Sequence, residues 1–246
     1  MRDVPAESPL RLLVVEPDGG CPLDRLGGQL REALPGALVT TCRPWAGDAV
    51  PPRPAADGLV VLGGQMGAHD DDLHPWLADV RSLLAAAVED AAPTLGICLG
   101  AQLLAAAAGG TVERGAHGRE AGVVDVAWRP EAADDPLLGG LAGSWPGPSM
   151  HQDAVTALPP GAAWLGAGDL YPHQAFRVGP AAWGVQFHPE VTVPVFGAWA
   201  RLDLPDPDRA AAVTAELADR DAEVAAAGAE LARRFARLVR RRAVPA

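Results

Sequence analysis

The sequence predicts an α/β protein with a mainly parallel central sheet, flanking helices and a helical carboxyl-terminal extension. Short apolar runs alternate with amphipathic segments through roughly the first 110 residues, which is the rhythm of a parallel sheet with crossover helices. The chain has 246 residues, of which 49% are hydrophobic and 21% charged, enough to build a sizeable core. Its last stretch is rich in alanine, which favours helix.

The first half of the chain predicts four strands, with helices after three of them. The opening strand, at 10–15, ends in Glu-Pro-Asp-Gly-Gly, whose residue types favour the turn that begins a crossover. The other predicted elements are a helix at 23–33, a strand at 37–42, a strand at 58–62, a helix at 75–88, a strand at 93–97 and a helix at 99–108. We expect these strands to form the parallel part of the sheet.

From Gly110 onward the chain contains short β-like runs separated by glycine, proline and aspartate. These runs lie at 111–112, 123–128, 154–158, 162–165, 174–178 and 181–187. We expect them to extend or flank the sheet within one α/β domain. Asp206-Pro207-Asp208 is a helix start signal, and a final helix should continue toward the arginines at 233–242.

The composition disfavours several classes of function. The formal net charge is -11, which repels the phosphate backbone of nucleic acids, so no nucleic-acid partner is expected. All 20 basic residues are arginine, so the chain has no lysine for a Walker A loop or a pyridoxal Schiff base. Mechanisms that need a lysine are therefore excluded.

The cysteines and the apolar runs predict a cytoplasmic protein. Cys21, Cys42 and Cys98 form neither an even disulfide framework nor a paired metal site, which favours a reducing compartment. No run approaches the roughly 18 apolar residues of a membrane span, and the amino terminus lacks a signal-peptide layout. We therefore expect no membrane association.

Cys98 lies in Gly96-Ile97-Cys98-Leu99-Gly100, between a predicted buried strand and a predicted helix. Glycines on both sides permit a tight turn that lifts the sulfur above the sheet, as in a nucleophile elbow. The helix amino terminus favours a thiolate over a thiol. The alternative is a buried structural cysteine, which is the usual fate of a free cysteine. The flanking glycines favour a nucleophile.

His188 and Glu190 follow another predicted strand, in Val185-Gln186-Phe187-His188-Pro189-Glu190. Pro189 disfavours helix at His188, so the chain is extended there and the two side chains project to the same side. Cys98 as nucleophile, His188 as proton shuttle and Glu190 as the group that orients the imidazole would reproduce the logic of a catalytic triad. The alternative is a strand-ending turn with solvated polar residues.

Gly63 and Gly64 follow the third predicted strand, where backbone N–H groups can face the site and stabilise an oxyanion. The amide of Leu99 is the natural second donor. Two glycines after a strand are also an ordinary turn.

Three motifs together resemble the class I glutamine amidotransferases: GGQMG at 63–67, GICLGAQ at 96–102 and VQFHPE at 185–190. The resemblance implies the family's sheet-and-helix domain over about 10–202, with 203–246 as a helical tail on the same domain. It implies that Cys98 attacks the side-chain amide of glutamine, forms a γ-glutamyl thioester and releases ammonia. No metal and no organic cofactor are implied for this reaction.

The resemblance also implies roles for further residues. Gln102 helps to hold the substrate, and the amides of Gly64 and Leu99 are the oxyanion donors. Ser149-Met150-His151-Gln152-Asp153 resembles a substrate-side loop and places His151 and Gln152 near the substrate. Gln152 stands where the family frequently has glycine, so the exact substrate is left open. The stretch from Met150 through Tyr171-Pro172-His173-Gln174-Ala175-Phe176 most resembles the stand-alone, GMP-synthase-like subgroup.

One acidic segment offers metal-ligating residue types. His69-Asp70-Asp71-Asp72-Leu73-His74 contains carboxylates and imidazoles, which are good metal ligands. A solvated loop whose acids precede and cap the next helix explains the same pattern. No metal site is therefore assigned.

Three functions remain compatible with the sequence. The first is a glutaminase that delivers ammonia to a separate synthase. The second keeps the triad but acts as a peptidase or amidase on another γ-glutamyl compound. The third is a catalytically idle domain that binds a ligand or partner and regulates it. An intact Cys98, His188 and Glu190 set argues against the third.

Overall fold

The computed structural model describes residues 8–141 and 143–243 as eleven strands and five helices of the α type. The strands are β1 (Arg11–Val15), β2 (Leu38–Cys42), β3 (Gly58–Val61), β4 (Thr94–Ile97), β5 (Thr111–Arg114), β6 (Glu120–Trp128), β7 (Ser144–His151), β8 (Asp153–Ala157), β9 (Ala163–Ala167), β10 (Ala175–Val178) and β11 (Ala182–Val185). The helices are α1 (Asp24–Ala33), α2 (Trp76–Glu89), α3 (Leu99–Ala107), α4 (Val193–Asp203) and α5 (Pro207–Ala243).

Nine strands form one mixed sheet in the order β2-β1-β3-β4-β11-β10-β9-β6-β7. The first five are parallel to one another, and the pairs from β11 to β7 are antiparallel. Strands β5 and β8 pair in a separate two-stranded sheet. The expected parallel sheet with flanking helices is confirmed, and the later β-like runs extend it as expected.

The central strands are buried on both faces because helices cover both sides of the sheet. Leu12 and Val14 of β1 point into a core shared with α1 and α5. Leu13 and Val15 alternate to the opposite face and pack with α2 and α3. This three-layer arrangement explains why the parallel strands read as continuous apolar runs rather than as alternating ones.

Helix α5 packs along the domain rather than extending away from it. It contacts α1, α4, β6 and β7, and Phe235 and Val239 belong to the same apolar cluster as Leu12. Its arginines also reach carbonyl oxygens near the ends of other helices: Arg240 bonds that of Ala33, and Arg242 bonds that of Asp90 at 2.7 Å. Cations at helix carboxyl ends are favourable.

Two elements are absent from the sequence-based expectation. Strand β7 contains Pro146 and Pro148, which disfavour a strand, but it lies at the edge of the sheet, where a missing N–H donor is tolerated. Helix α4 has Pro194 near its first position and follows a segment expected only to end a strand. The helices over the described residues include none that is both long enough and apolar enough to cross a membrane.

Candidate active site

The site lies at the carboxyl edge of the parallel strands, where loops after neighbouring strands meet. The loops after β1, β3, β4 and β11 all reach this edge, because these strands are adjacent and parallel. They carry, respectively, 16–23, Gly63 and Gly64, Cys98, and the 186–190 segment. Residues that are far apart in the sequence are thereby brought together.

Cys98 occupies a strained turn between β4 and α3. Its φ of 50° and ψ of -106° lie outside the usual regions for a residue with a side chain. Its amide donates to the carbonyl of Val185 at 2.8 Å, and the residue is 4% exposed. Helix α3 begins at Leu99, so its first amides have no intrahelical partner and create a positive field beside the sulfur.

His188 and Glu190 form a buried pair behind the sulfur. Nδ1 of His188 lies 2.6 Å from Oε1 of Glu190, and both side chains are almost completely buried. The imidazole also packs against the Trp199 ring, with 4.7 Å between ring centroids, and the Trp199 indole donates to the carbonyl of Gly20 at 2.8 Å. The pair is therefore held from the side as well as from behind.

Gly63 marks the point where Cys98 and His188 converge. A Cβ atom on Gly63 would lie 2.9 Å from Cε1 of His188 and 3.6 Å from Cβ of Cys98. The first distance is shorter than real Cβ contacts, so a side chain at this position would displace the imidazole. The residue is thus required to be small for a steric reason.

Burial alone would lower the pKa of His188, but its anionic neighbours outweigh that effect. The Glu190 carboxylate and the Cys98 sulfur raise the pKa of His188 to about 10. The charged imidazolium is therefore the form that this environment favours at neutral pH. An imidazolium between a carboxylate and a sulfur atom is suited to hold a thiolate and to give up a proton.

A cavity of about 330 Å³ opens above the sulfur. Six of the residues expected at the site line it: Cys98, His188, Gly64, Gln102, His151 and Gln152. Glu190 lies behind His188, Gly63 lies between His188 and Cys98, and Leu99 is buried beside Gly64. The structure therefore brings all nine expected residues into one region.

The His151 and Gln152 side chains have protein partners within this wall. Nδ1 of His151 lies 2.9 Å from the carbonyl oxygen of Asp153, and Nε2 lies 2.9 Å from Oε2 of Glu120. With its amide oxygen turned toward Arg114, Gln152 accepts hydrogen bonds of 2.7 and 3.0 Å. Both ring nitrogens of His151 are thus engaged by the protein itself. The 149–153 segment is not a loop, since it joins the end of β7 to the start of β8.

Sequence reasoning missed several residues of the cavity wall. Cys21, Arg119, Trp199 and Asp203 also line it, and Arg119 pairs with Asp203 at 3.2 Å. Burial, followed by the charge of Asp18, raises the pKa of the Cys21 thiol. The apolar pattern around Trp199 favours a core position, and no local motif marks the other three. These residues reach the site through α4 and the loops, whose paths the sequence does not predict.

The acidic 69–74 segment has partners that explain its charges. The Asp70 carboxylate accepts from the amide of Gly67 at 2.6 Å, and Asp71 pairs with Arg81 at 2.7 Å. His74 packs edge-on against Trp76. Over residues 8–141 and 143–243, no three histidine, cysteine, aspartate or glutamate side chains are grouped so that they could hold a metal ion.

Comparison with known proteins identifies the family. Residues 43–198 match the model of the glutamine amidotransferase class-I family. The first relative is a chain of the glutamine-hydrolyzing GMP synthase of Halobacterium salinarum, 37% identical over 137 residues, which are 55% of this chain and 67% of that protein. The glutamine-hydrolyzing GMP synthase of Porphyromonas gingivalis is 43% identical over 136 residues, 54% of this chain but only 25% of that protein.

Solved structures agree over nearly the whole chain. A glutamine amidotransferase of Thermotoga maritima superimposes with a TM-score of 0.81 at 25% identity, covering 94% of this chain and 99% of that one. A glutamine amidotransferase of Methylobacillus flagellatus gives 0.78 at 25% identity and covers 95% of both chains. The expected fold and the expected enzyme class are thereby confirmed: this chain belongs to the class I glutamine amidotransferase family.

Proposed function

We propose that this chain hydrolyses the side-chain amide of glutamine at Cys98 and supplies the ammonia to a separate synthase. The observation that carries this proposal is the buried imidazole–carboxylate pair, 2.6 Å apart, held behind a cysteine at a strained strand-to-helix turn. A thiolate, a proton carrier and an orienting carboxylate are the groups that acyl transfer from an amide requires.

The reaction begins with the Cys98 thiolate attacking the amide carbon of the substrate. The charge that develops on the substrate oxygen is stabilised by the backbone amides of Gly64 and Leu99. His188 then donates its proton to the nitrogen, the carbon–nitrogen bond breaks, and ammonia leaves a γ-glutamyl thioester on Cys98. Water attacks the thioester after His188 accepts its proton, and glutamate leaves as the thiolate re-forms.

The other expected site residues support the substrate from the cavity wall. We assign Gln102 to contact with the substrate, since its side chain lines the cavity. His151 and Gln152 act by shaping that wall, because their polar atoms already bond Asp153, Glu120 and Arg114. No metal or organic cofactor takes part in this scheme.

The partner is an enzyme that uses ammonia. Support comes from the relatives, one of which is named as part of a glutamine-hydrolyzing GMP synthase. We propose that residues 10–202 form the amidotransferase domain and that 203–246 are a helical tail on the same domain. The free state of Cys21, Cys42 and Cys98 supports a cytoplasmic location.

The experiment is a parallel measurement of glutamate and ammonia release from glutamine by the wild-type protein and by the Cys98→Ala variant. We expect equal amounts of the two products from the wild type, none from the variant, and faster release when the cognate synthase is added. Full turnover by the Cys98→Ala variant would refute the proposal. Reaction of Cys98 with a glutamine-like electrophile, followed by mass spectrometry, tests the idle-domain alternative, which predicts no labelling.

The peptidase or amidase alternative rests on Gln152, which places a side chain in the cavity wall where the family frequently has glycine. Steady-state rates on glutamine and on γ-glutamyl dipeptides separate the two functions. The preferred substrate is the one with the higher kcat/KM.

A further inference from the structure

A buried row of polar side chains ends at the Cys98 sulfur and takes no part in the proposed triad. The last member is Gln186, whose Nε2 lies 3.6 Å from Sγ of Cys98. Gln186 is 2% exposed, and its backbone amide donates to the carbonyl of Gln174 at 2.9 Å. A buried amide directed at the nucleophile is a contact that the proposed mechanism leaves without a role.

The direction of the Gln186 amide is set by Gln102. Oε1 of Gln186 accepts from Nε2 of Gln102 at 3.4 Å, so the NH₂ group of Gln186 is the end that faces the sulfur. Nε2 of Gln102 also donates to the carbonyl oxygen of Asp153 at 2.8 Å. A carbonyl oxygen can only accept, so the orientation of the Gln102 amide is fixed in turn.

The Asp153 carbonyl is itself anchored by a second imidazole–carboxylate pair. Nδ1 of His151 lies 2.9 Å from this oxygen and must carry the proton, because the oxygen has none to give. Nε2 of His151 meets Glu120, which also accepts from Gln174 at 2.8 Å. Every side chain of the row is buried: Glu120, His151, Gln174, Gln102 and Gln186.

We propose that Gln186 is a catalytic residue that donates a hydrogen bond to the Cys98 thiolate, and that Gln102 is a positioning residue that directs this donor. The inference rests on the proposed function, since it concerns the same nucleophile. An N–H donor interacts more strongly with a charged acceptor than with a neutral one, so it stabilises the thiolate relative to the thiol. It also restrains the position of the sulfur independently of His188.

Other groups near the sulfur are left unchanged when Gln186 is altered. His188 with Glu190 behind it lies after β11, and Cys21 faces the sulfur from the loop after β1. The charged groups of the surrounding cavity wall are Asp70, Arg119, Asp153 and Asp203. A change in the behaviour of Cys98 in the Gln186 variant can therefore be compared with a constant background.

The test uses Gln186→Met, which keeps the length of the side chain but removes the donor. Alkylation of Cys98 by iodoacetamide is followed against pH without substrate, with the labelled residue identified by mass spectrometry. We expect the midpoint of this curve to move upward by about one pH unit, and kcat on glutamine at pH 7 to fall about tenfold with KM changed less than about twofold. Thr94→Val removes another fully buried polar group, on β4, and should leave the midpoint unchanged.

Gln102→Met is the second variant, because it leaves Gln186 in place but releases its amide. We expect an upward shift of the midpoint in the same direction and of smaller size. A midpoint in Gln186→Met equal to that of the wild type would overturn the inference, even if activity fell. If Gln186→Met does not fold, an unchanged midpoint in Gln102→Met overturns it. Neither result would affect the proposed function, which fails only if Cys98→Ala remains active.

Discussion

Gly228, in the middle of the long helix α5, lies directly against the backbone of Pro189. A Cβ atom on Gly228 would lie 2.5 Å from the carbonyl oxygen of Pro189, closer than any real contact allows. Pro189 stands between His188 and Glu190, and the next carbonyl, of Glu190, accepts from the amide of Arg25 at 3.2 Å. Helices α1 and α5 thus hold the backbone that carries the buried imidazole–carboxylate pair.

Gly228→Ala should lower kcat about tenfold or more, because the new methyl group must push the Pro189 backbone or the helix away. The helix itself would gain about 1 kcal/mol from alanine, so a loss of activity would report the displaced contact rather than weaker helix formation. Turnover of glutamine and the circular dichroism spectrum are measured together.

Gly28→Ala is the matched control, since Gly28 is also inside a helix but a Cβ there would meet nothing within 4 Å. This variant should keep its activity and be equally or more stable. Equal activity in the Gly228 and Gly28 variants would show that α5 does not position the catalytic segment.

Glu190→Gln should reduce kcat about 100-fold or more, by analogy with the effect of neutralising the carboxylate of a Ser-His-Asp triad. The amide still fits beside His188, but it removes the negative charge that favours the imidazolium. The pKa of His188, followed by NMR of the ring protons, should fall from its raised value of about 10. An unchanged titration would mean that Glu190 does not control the charge of the ring.

The raised pKa of His188 also predicts a pH dependence of stability. A group that binds its proton more tightly in the folded state stabilises that state fully below its ordinary pKa, near 6.5, and loses this contribution as the pH rises through about 10. The urea midpoint of the wild type should therefore decrease between these two values. In His188→Gln the decrease should be smaller, whereas His69→Gln, at an exposed position, should follow the wild type.

The parallel half of the fold was predictable because its signals are local. The apolar runs at β1, β3 and β4 have no alternation, and the glycines around Cys98 mark the turn at which the residue takes its positive φ. The fold and family expectations are confirmed. The catalytic roles of Cys98, His188 and Glu190 stay predictions, to be tested by the variants.

The rest of the site depends on contacts between distant parts of the chain. Arg119 and Asp203 meet across the cavity although 84 positions separate them. Trp199 reaches His188 only because α4 turns back over the site. Gly228 has no local feature that separates it from a poor helix residue, since its reason is the Pro189 backbone, far earlier in the chain. Such relationships arise from packing and leave no periodic signal in the sequence.

Phe235→Ala tests whether the helical tail belongs to the amidotransferase domain. The Phe235 side chain is fully buried in the cluster that contains Leu12 and Trp183. Removing its ring leaves a cavity between α5 and the sheet and should lower the free energy of unfolding by about 3–5 kcal/mol. The measurement is urea unfolding followed by both fluorescence and circular dichroism. Leu202→Ala, at a position 75% exposed, should change it by less than about 0.5 kcal/mol. A single coincident transition at lower urea would show that tail and domain unfold together. Two separate transitions in the wild type would show instead that the tail folds on its own, because a cooperative unit cannot lose one layer while keeping the other.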